Sequence, residues 1–506
     1  MKRALISVYH KEKIERIAAT LVKAGWEIIS TGGTAAYLKK HKIPVTEVSE
    51  ITNFPEILDG RVKTLHPLIF GPVLAKKKPE HLRQLRELSA AKIDIVIINF
   101  YPFEEVMEKK TADLDKMLEN IDIGGPALVR AAAKNFRATV VLIDENDYAP
   151  IMAAIAKNIN IPLALRKKLA QKAFAYTSFY DSLIAAYLQQ EQTEQPSFLT
   201  IGGRNVHALR YGENPHQAAF LTVRDRLSPF FAIEQLQGKE LSFNNILDAA
   251  MVYEVLNDFQ EKKHFTIIVK HQNPCGAAQA AAQLPAFQGA FAGDQRSAYG
   301  GIVGFNHRLE AETAAAISDI FFEVIVAPDY ADGALNVLRK KKNLRLLKMP
   351  AGYVEKSDFK TIPGGFVYQS RDNQAANSEN FTLQAGSPLT KKEKNDVKFG
   401  WKLIKYIKSN GIIIVKNHIL IGVGAGQASR IDAVELAIHK SQMPIAGAVL
   451  LSDAFFPFAD SVELAAKNKI SILVEPGGSI KDPEVILAAK KLGITLLFTG
   501  IRHFRH

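Results

Sequence analysis

Two short runs of β-branched apolar residues, each ending on a lysine, constrain this chain most: IIVK at Ile267–Lys270 and IIIVK at Ile412–Lys416. A run without a polar interruption has no solvent face, so each suits a strand buried on both sides of a sheet. The order of elements also repeats. After the first run come the turn KHQNPCG, an Ala-rich helix and the glycine-rich strand Ser297–Asn306. After the second come a Gly-rich stretch, a helix Ile431–Lys440, strand Ala446–Leu451 and the turn SDAFFPFAD. A duplicated α/β subdomain is expected. Lys270 and His271 put a cation and an imidazole where a buried strand meets solvent, and α/β proteins keep their chemistry there.

At 506 residues the chain exceeds one core and predicts at least two domains. Its single cysteine, Cys275, excludes a disulfide framework and a multi-cysteine zinc site. No apolar run approaches the ~20 residues of a membrane span, and MKRALISVYH lacks a leader's apolar region, so a cytoplasmic protein is expected. The net charge of +12 fits anionic ligands, although many cations lie in short runs such as Lys76–Lys78 that read as solvated faces. Nucleic-acid modules interleave cations with aromatics. Here the candidate cations sit singly at strand ends among glycines and hydroxyls, as discrete anion pockets would have them.

In the first part, strand Ala4–Val8, helix Glu12–Ala24 and strand Glu27–Ser30 predict a parallel sheet with helices on its faces. Ser30, Thr31, Gly32, Gly33 and Thr34 offer hydroxyls and backbone N–H groups at a helix start, which suits a phosphate or a plain turn, and Lys11 could add a cation. The aperiodic GRVKTLHP groups Arg61, Lys63, Thr64 and His66 for an anionic target. The apolar run Ile93–Phe100 ends at Asn99 and Tyr101. Gly124, Gly125 and Pro126 open a helix carrying Arg130 and Lys134; a helix start wants such residues anyway, whereas Asp122 before them is not explained that way. Strand Thr139–Ile143 and a helical region from about residue 150 to 190 close this part. The polar stretch Gln189–Ser197 reads as a linker.

In the second part, LRYGENPHQ offers Arg210 and Tyr211 as an anion clamp with an aromatic wall. Gly422, Gly424 and Gly426 fall short of a dinucleotide fingerprint because Gln427 stands at its last glycine, so a nicotinamide cofactor is rejected. Cys275 has no charged neighbour to activate it and reads as filler. A lone histidine at a strand end can be merely structural. Beside Lys270, however, His271 is expected to stay neutral and accept a proton, while the lysine stabilises negative charge.

GRVKTLHP, NFYPF, IDIGGPALVRAAAKN, LRYGENPHQ, VKHQNPCG, SAYGGIVGFN, SNGIIIVKN, GVGAGQASR and SDAFFPFAD together resemble one family. It is the bifunctional purine-biosynthesis enzymes that join aminoimidazole carboxamide ribotide (AICAR) transformylase to inosine monophosphate (IMP) cyclohydrolase. The motifs run in family order along nearly the whole chain. The resemblance implies an α/β protein with a methylglyoxal-synthase-like parallel-sheet cyclohydrolase domain at 1–190, a linker at 191–199 and a transformylase domain at 200–506. The last is expected to hold two cytidine-deaminase-like lobes without zinc. It further implies 10-formyltetrahydrofolate as co-substrate, no catalytic metal, no nucleic-acid or membrane partner, and a homodimer sharing its transformylase sites.

Carried over by motif, Lys270 resembles the transition-state stabiliser, His271 the proton acceptor and Asn410 an amide near the reacting groups. Arg210, Tyr211, Gly300, Glu323, Arg430, Phe455 and Arg502 match nucleotide-holding positions, and Asp460, Ser479 and Ile480 match folate-side ones. Lys63, Tyr101, Asp122 and Lys134 match cyclohydrolase residues, with Lys134 the candidate proton shuttle. Lys11, Ser30–Thr34, Arg61, Thr64, Asn99 and Gly124 would hold the second nucleotide. Departures from the family pattern include Tyr9 and His10 for a Ser-Asp pair, Phe70 for a histidine and Glu323 for an aspartate.

Overall fold

Five short runs in the first part form one sheet. The computed structural model describes residues 1–109, 113–189, 196–374 and 380–506, and the chain divides into units Met1–Arg204 and Asn205–His506. In the first unit β1 (Arg3–Ser7), β2 (Glu27–Ser30), β3 (Thr46–Glu47), β4 (Ile95–Ile98) and β5 (Val140–Leu142) are all parallel, in the order β3-β2-β1-β4-β5. Leu5, Val96 and Ile98 pack on one face with helix Gly124–Lys134, and Ile6, Ile95 and Ile97 on the other with helix Ile14–Lys23. Burial on both faces is why these strands lack alternation. Strand order reverses between β1 and β4, which opens a crevice at their carboxyl ends.

The expected helical region near 150–190 is two helices, Tyr148–Ala156 and Leu163–Gln189. Asn158 at φ 48° and Pro162 separate them. Residues 190–195 of the expected linker lie outside the described residues. The division falls later than the expected boundary at 200, after Arg204, whose guanidinium pairs with Glu104 and lies 4.6 Å from the Phe179 ring centre.

In the second unit β6 (Arg204–Leu209) pairs with β7 (Ala219–Val223). Then follow β8 (Glu234–Gln237), β9 (His264–Lys270), β10 (Asn273–Ala280), β11 (Ile302–Phe305), β12 (Val324–Ala327) and β13 (Arg345–Lys348). A separate hairpin joins β14 (Ser357–Ile362) and β15 (Gly365–Ser370). The rest are β16 (Thr382–Ala385), β17 (Ile412–Lys416), β18 (Ile419–Gly424), β19 (Val449–Ser452), β20 (Ile472–Glu475) and β21 (Thr495–Phe498).

One twelve-stranded sheet runs β16-β21-β20-β19-β17-β18-β10-β9-β11-β12-β13-β8. Read outward from the central β18–β10 pair, the two halves are the same: β17 answers β9, β19 answers β11, β20 answers β12 and β21 answers β13. Registers agree, since Ile302 pairs with Val269 as Val449 pairs with Val415. Lys270 and Lys416 are therefore equivalent, and the duplication expected from IIVK and IIIVK holds strand by strand.

One expectation fails locally. The Ala-rich stretch after KHQNPCG is not a helix from its start but β10, and the helix begins only at Gln283. Ala277 and Ala278 are buried in a central strand, where tertiary packing overrides alanine's helix propensity. The glycine-rich strand is likewise shorter, Ile302–Phe305, preceded by a helical turn at Gln295–Ala298. Gly424 has a packing reason: a Cβ there would lie 1.9 Å from the Ala433 carbonyl oxygen of the covering helix Arg430–Lys440. Among the described residues no helix is long and apolar enough to cross a membrane.

Candidate active sites

The crevice of the first unit is a cavity of about 690 Å³. Lys11, Thr31, Gly33, Thr34, Arg61, Lys63, Thr64, Asn99, Tyr101, Asp122 and Gly124 line it, which gathers most of the expected residues from five chain segments. Lys63 Nζ donates to the Tyr101 hydroxyl at 3.0 Å. Asp122 Oδ1 accepts the Gly125 N–H at 2.8 Å, closing the start of helix Gly124–Lys134. Burial raises the Asp122 pKa, opposed by the N–H groups of Gly125 and Tyr101 and by the Lys63 ammonium. The structural purpose of the Gly-Gly-Pro turn is thus real, and it also delivers Asp122 to the cavity wall.

Asn99 explains how the Tyr9-His10 departure is accommodated. Its Oδ1 accepts the N–H groups of Tyr9 and His10 at 2.6 and 3.1 Å, and its Nδ2 donates to the His10 carbonyl at 2.8 Å. Tyr9 stands edge-on to Tyr101, ring centres 6.1 Å apart, and His10 pairs with Glu105 at 3.3 Å.

Other expected residues are placed differently. Ser30 is fully buried and spends its hydroxyl on the Ile6 carbonyl at 2.6 Å, and neither it nor Gly32 lines the cavity. Thr34 Oγ1 exchanges hydrogen bonds with Val8 N and O at 3.0 and 2.9 Å, so it latches β1 to the helix start. Lys134 lies apart from this cavity within the chain. It ends the helix that Gly124 begins, about 15 Å away at 1.5 Å rise per residue. It lines a different cavity with Arg130 and Lys167. Reading the helix as one stretch of sequence hid that length.

In the second unit the sheet sorts the expected residues by edge. β9 and β18 run one way and β10 and β17 the other. The carboxyl ends of β9, β18, β19, β20 and β21 therefore share one edge with the amino ends of β11, β12 and β17. That edge holds Lys270, His271, Gly300, Glu323, Asn410, Arg430, Phe455, Asp460, Ser479, Ile480 and Arg502. Lys270 and Asn410 flank the central strand pair, with β9 and β17 about 14 Å apart at three strand spacings. A ligand of nucleotide size spans such a gap.

Lys270 Nζ donates to the Tyr299 carbonyl at 2.7 Å, as Lys416 Nζ does to that of Ala446 at 2.6 Å. Anchoring the lysine is therefore a property of the repeated fold. The imidazole is not: Asn417 stands at the equivalent of His271. Asn410, in turn, answers His264. Arg430 Nη2 donates to Asn410 Oδ1 at 2.7 Å, and its Nη1 donates to the Gly411 carbonyl and to the buried Asp453 at 3.1 and 2.5 Å. Asn410 Nδ2 donates to the Gln427 and Ala428 carbonyls at 2.9 and 3.1 Å. Burial pushes the Cys275 thiol up to about 12, as filler requires.

Glu323 pairs with Arg345 at 2.6 Å, and Ile480 is almost wholly exposed. Arg210 lies 5.4 Å from the Tyr211 ring centre, on a segment tied back through Asn244 to the Glu213 carbonyl at 3.4 Å. Sequence reading missed Asp248, Lys408 and Asp453. Asp248 accepts the N–H groups of the His271 turn. Burial raises its pKa, opposed by those N–H groups and by the charges of His271 and Lys408. The repeat contained the signal, since Asp396 serves the equivalent turn. Among the described residues no group of three or more His, Cys, Asp and Glu could hold a metal ion.

Comparison with known proteins identifies two family matches: residues 13–127 with the MGS-like domain and 132–440 with the AICARFT/IMPCHase bienzyme. The chain is 44% identical to the bifunctional purine biosynthesis protein PurH of Caldicellulosiruptor saccharolyticus and 45% identical to that of Persephonella marina. It is 44% identical to the PurH of a Thermoanaerobacter species, and each comparison spans 100% of both chains.

Proposed function

The chain belongs to the AICARFT/IMPCHase bienzyme family, an AICAR formyltransferase and IMP cyclohydrolase of purine biosynthesis, and we propose how its two sites divide these reactions. The edge carrying Lys270 and His271 performs formyl transfer, with 10-formyltetrahydrofolate as donor. The AICAR amine attacks the formyl carbon. His271 takes the amine proton, Lys270 stabilises the oxyanion, and collapse returns the electron pair to the folate nitrogen, which gains a proton. Arg430 orients Asn410 on the same edge, across the central strand pair. Gly300, Glu323, Phe455, Arg210, Tyr211 and Arg502 hold the nucleotide, and Asp460, Ser479 and Ile480 hold the folate. A homodimer sharing these sites is part of the proposal.

Ring closure belongs to the cavity of the first unit. The carboxamide nitrogen of formyl-AICAR attacks the formyl carbon, and Lys63 with Tyr101 donates to the developing oxyanion. Asp122 receives the carboxamide proton and returns it to the hydroxyl, which leaves as water while the formamide nitrogen forms the C=N bond and gives up its own proton, replacing the one the Lys63–Tyr101 pair gave to the oxyanion. It takes the shuttle role first given to Lys134, which does not reach the cavity of its own chain. Lys11, Thr31, Gly33, Thr34, Arg61, Thr64, Asn99 and Gly124 surround the nucleotide. The observation that carries this reading is the convergence of Lys63, Tyr101 and Asp122 in one cavity, with Lys63 Nζ 3.0 Å from the Tyr101 hydroxyl. Measuring AICAR-dependent release of tetrahydrofolate together with cyclisation of supplied formyl-AICAR tests it. Variants of the first unit that slow the release but spare cyclisation would sink the assignment.

A further inference from the structure

Glu475 ends β20 and is fully buried. Its Oε2 accepts the backbone N–H of Phe456, and its Oε1 meets no hydrogen-bond partner among the described residues. Two segments leave the sheet around it. One follows β19 and presents Phe455 and Asp460; the other follows β20 and presents Ser479 and Ile480. Asp482 ties the second segment, accepting the N–H groups of Gly478 and Ser479 at 2.7 and 3.0 Å. The bond from Phe456 to Glu475 is the matching tie for the first. In the first lobe Ala327 occupies the equivalent place at the end of β12, so the carboxyl belongs to the lobe that presents Phe455.

Two charged groups face Glu475 from the neighbouring helices: Asp482 opens one and Arg430 the other. Arg430 is already answered by Asp453 at the end of β19. Toward β21 the contact is a backbone one, Thr499 N–H donating to the Glu475 carbonyl at 2.9 Å. Burial raises the Glu475 carboxyl to about 8, Asp482 adds to the rise, and the Phe456 N–H and Arg430 oppose it. The neutral acid can remain in this place, whereas a carboxylate there lacks water and a counter-charge of its own.

We propose that Glu475 is a positioning residue for formyl transfer: uncharged, it holds the Phe455–Asp460 segment against β20, and loss of its proton to solvent releases that segment and weakens substrate holding. The inference rests on assigning Phe455 and Asp460 to the formyl-transfer site. It extends that reading to a pH limit that ring closure does not share.

The test is the pH profile of KM for AICAR and for the folate donor, from about pH 6 to about pH 9.5, beside cyclisation of supplied formyl-AICAR. In the unmodified enzyme KM rises on the alkaline side, approaching about tenfold per pH unit, and cyclisation is unaffected. Glu475→Gln, neutral at every pH and still able to accept the Phe456 N–H, keeps KM flat. An alkaline rise that persists in this variant, or one shared by cyclisation, overturns the proposal. Phe455→Ala separates the two levels: it raises KM at all pH, and if it does not, the site assignment has failed rather than the role of Glu475. Carboxyl NMR of the unmodified protein gives a reading independent of any variant's folding. A Glu475 that titrates as an ordinary glutamate also overturns the inference.

Discussion

The carboxylate of Asp248 accepts the backbone N–H of His271 at 3.1 Å and, through its other oxygen, that of Gln272 at 2.6 Å. Both turn residues lie in the left-handed region, at φ 53° and 57°, which costs a side-chain-bearing residue about 1–2 kcal/mol. Two-residue hairpins favour glycine or asparagine for that reason. Asp248 offsets the cost and fixes the direction in which the imidazole leaves the sheet.

Asp248→Ala should therefore loosen the turn. Hydrogen bonds to a charged group contribute about 1.5–3 kcal/mol each when buried, and less at exposed His271, so a loss near the lower end is expected in urea unfolding. Formyl transfer should fall through kcat while cyclisation persists. Adding Gln272→Gly, which relieves the left-handed strain, should recover stability without recovering transfer. If transfer returned as well, Asp248 would merely be stabilising the unit.

His271→Ala removes the proposed proton acceptor and nothing that the fold needs, because Asn417 closes the equivalent turn without an imidazole. Loss of general-base catalysis predicts a fall of about 10²–10⁴ in formyl transfer. IMP formation from supplied formyl-AICAR should be unchanged. Loss of both activities would contradict two separable sites.

In the proposed ring closure Asp122 must be ionised to accept the carboxamide proton, and burial raises its pKa. The acid limb of ring closure should therefore lie above the usual aspartate range, with activity present above it and lost as pH falls through it. Asp122→Asn should abolish cyclisation across the profile and spare formyl transfer. Steady-state cyclisation rates against pH decide this; an acid limb at an ordinary aspartate value would remove Asp122 from the role.

Much of this architecture is legible in IIVK and IIIVK. Uninterrupted apolar runs have one stable place, a strand covered on both faces, and their repetition gives the lobes. What could not be read is set by distant partners. Ala277 and Ala278 become strand because β9 and β18 flank them. Lys134 lies on a helix whose start, not its end, meets the cavity. Asp248 stands 23 residues before His271, with no local pattern to mark it. Arg430 matches a nucleotide-holding position, yet its guanidinium is also built into Asp453 and Asn410.

That last arrangement predicts a stability effect. Asp453 is fully buried, and apart from Arg430 its side-chain partner is the Ser409 hydroxyl. Arg430→Met leaves a buried carboxylate without its cation, which should destabilise the second unit by about 3–5 kcal/mol. Combining it with Asp453→Asn should recover part of that loss. Urea midpoints of the three variants measure the coupling, and simple additivity would mean that the pair is not acting as one.

Glu475 gives the opposite pH signature from a salt-bridged carboxylate. Its folded-state pKa, about 8, exceeds the ordinary value of 4.5. Between those pH values the folded chain binds a proton that the unfolded chain has released, so stability falls as pH rises through this window. At 1.36 kcal/mol per pH unit the full loss is bounded at roughly 5 kcal/mol, approached only above the upper value. Glu475→Gln cannot titrate and should lose this slope, so its unfolding free energy should overtake that of the unmodified protein as the solution becomes alkaline. Denaturant titrations of both proteins at several pH values measure the difference. Parallel curves would show that Glu475 is ionised in the folded state, held by a partner strong enough to offset its burial.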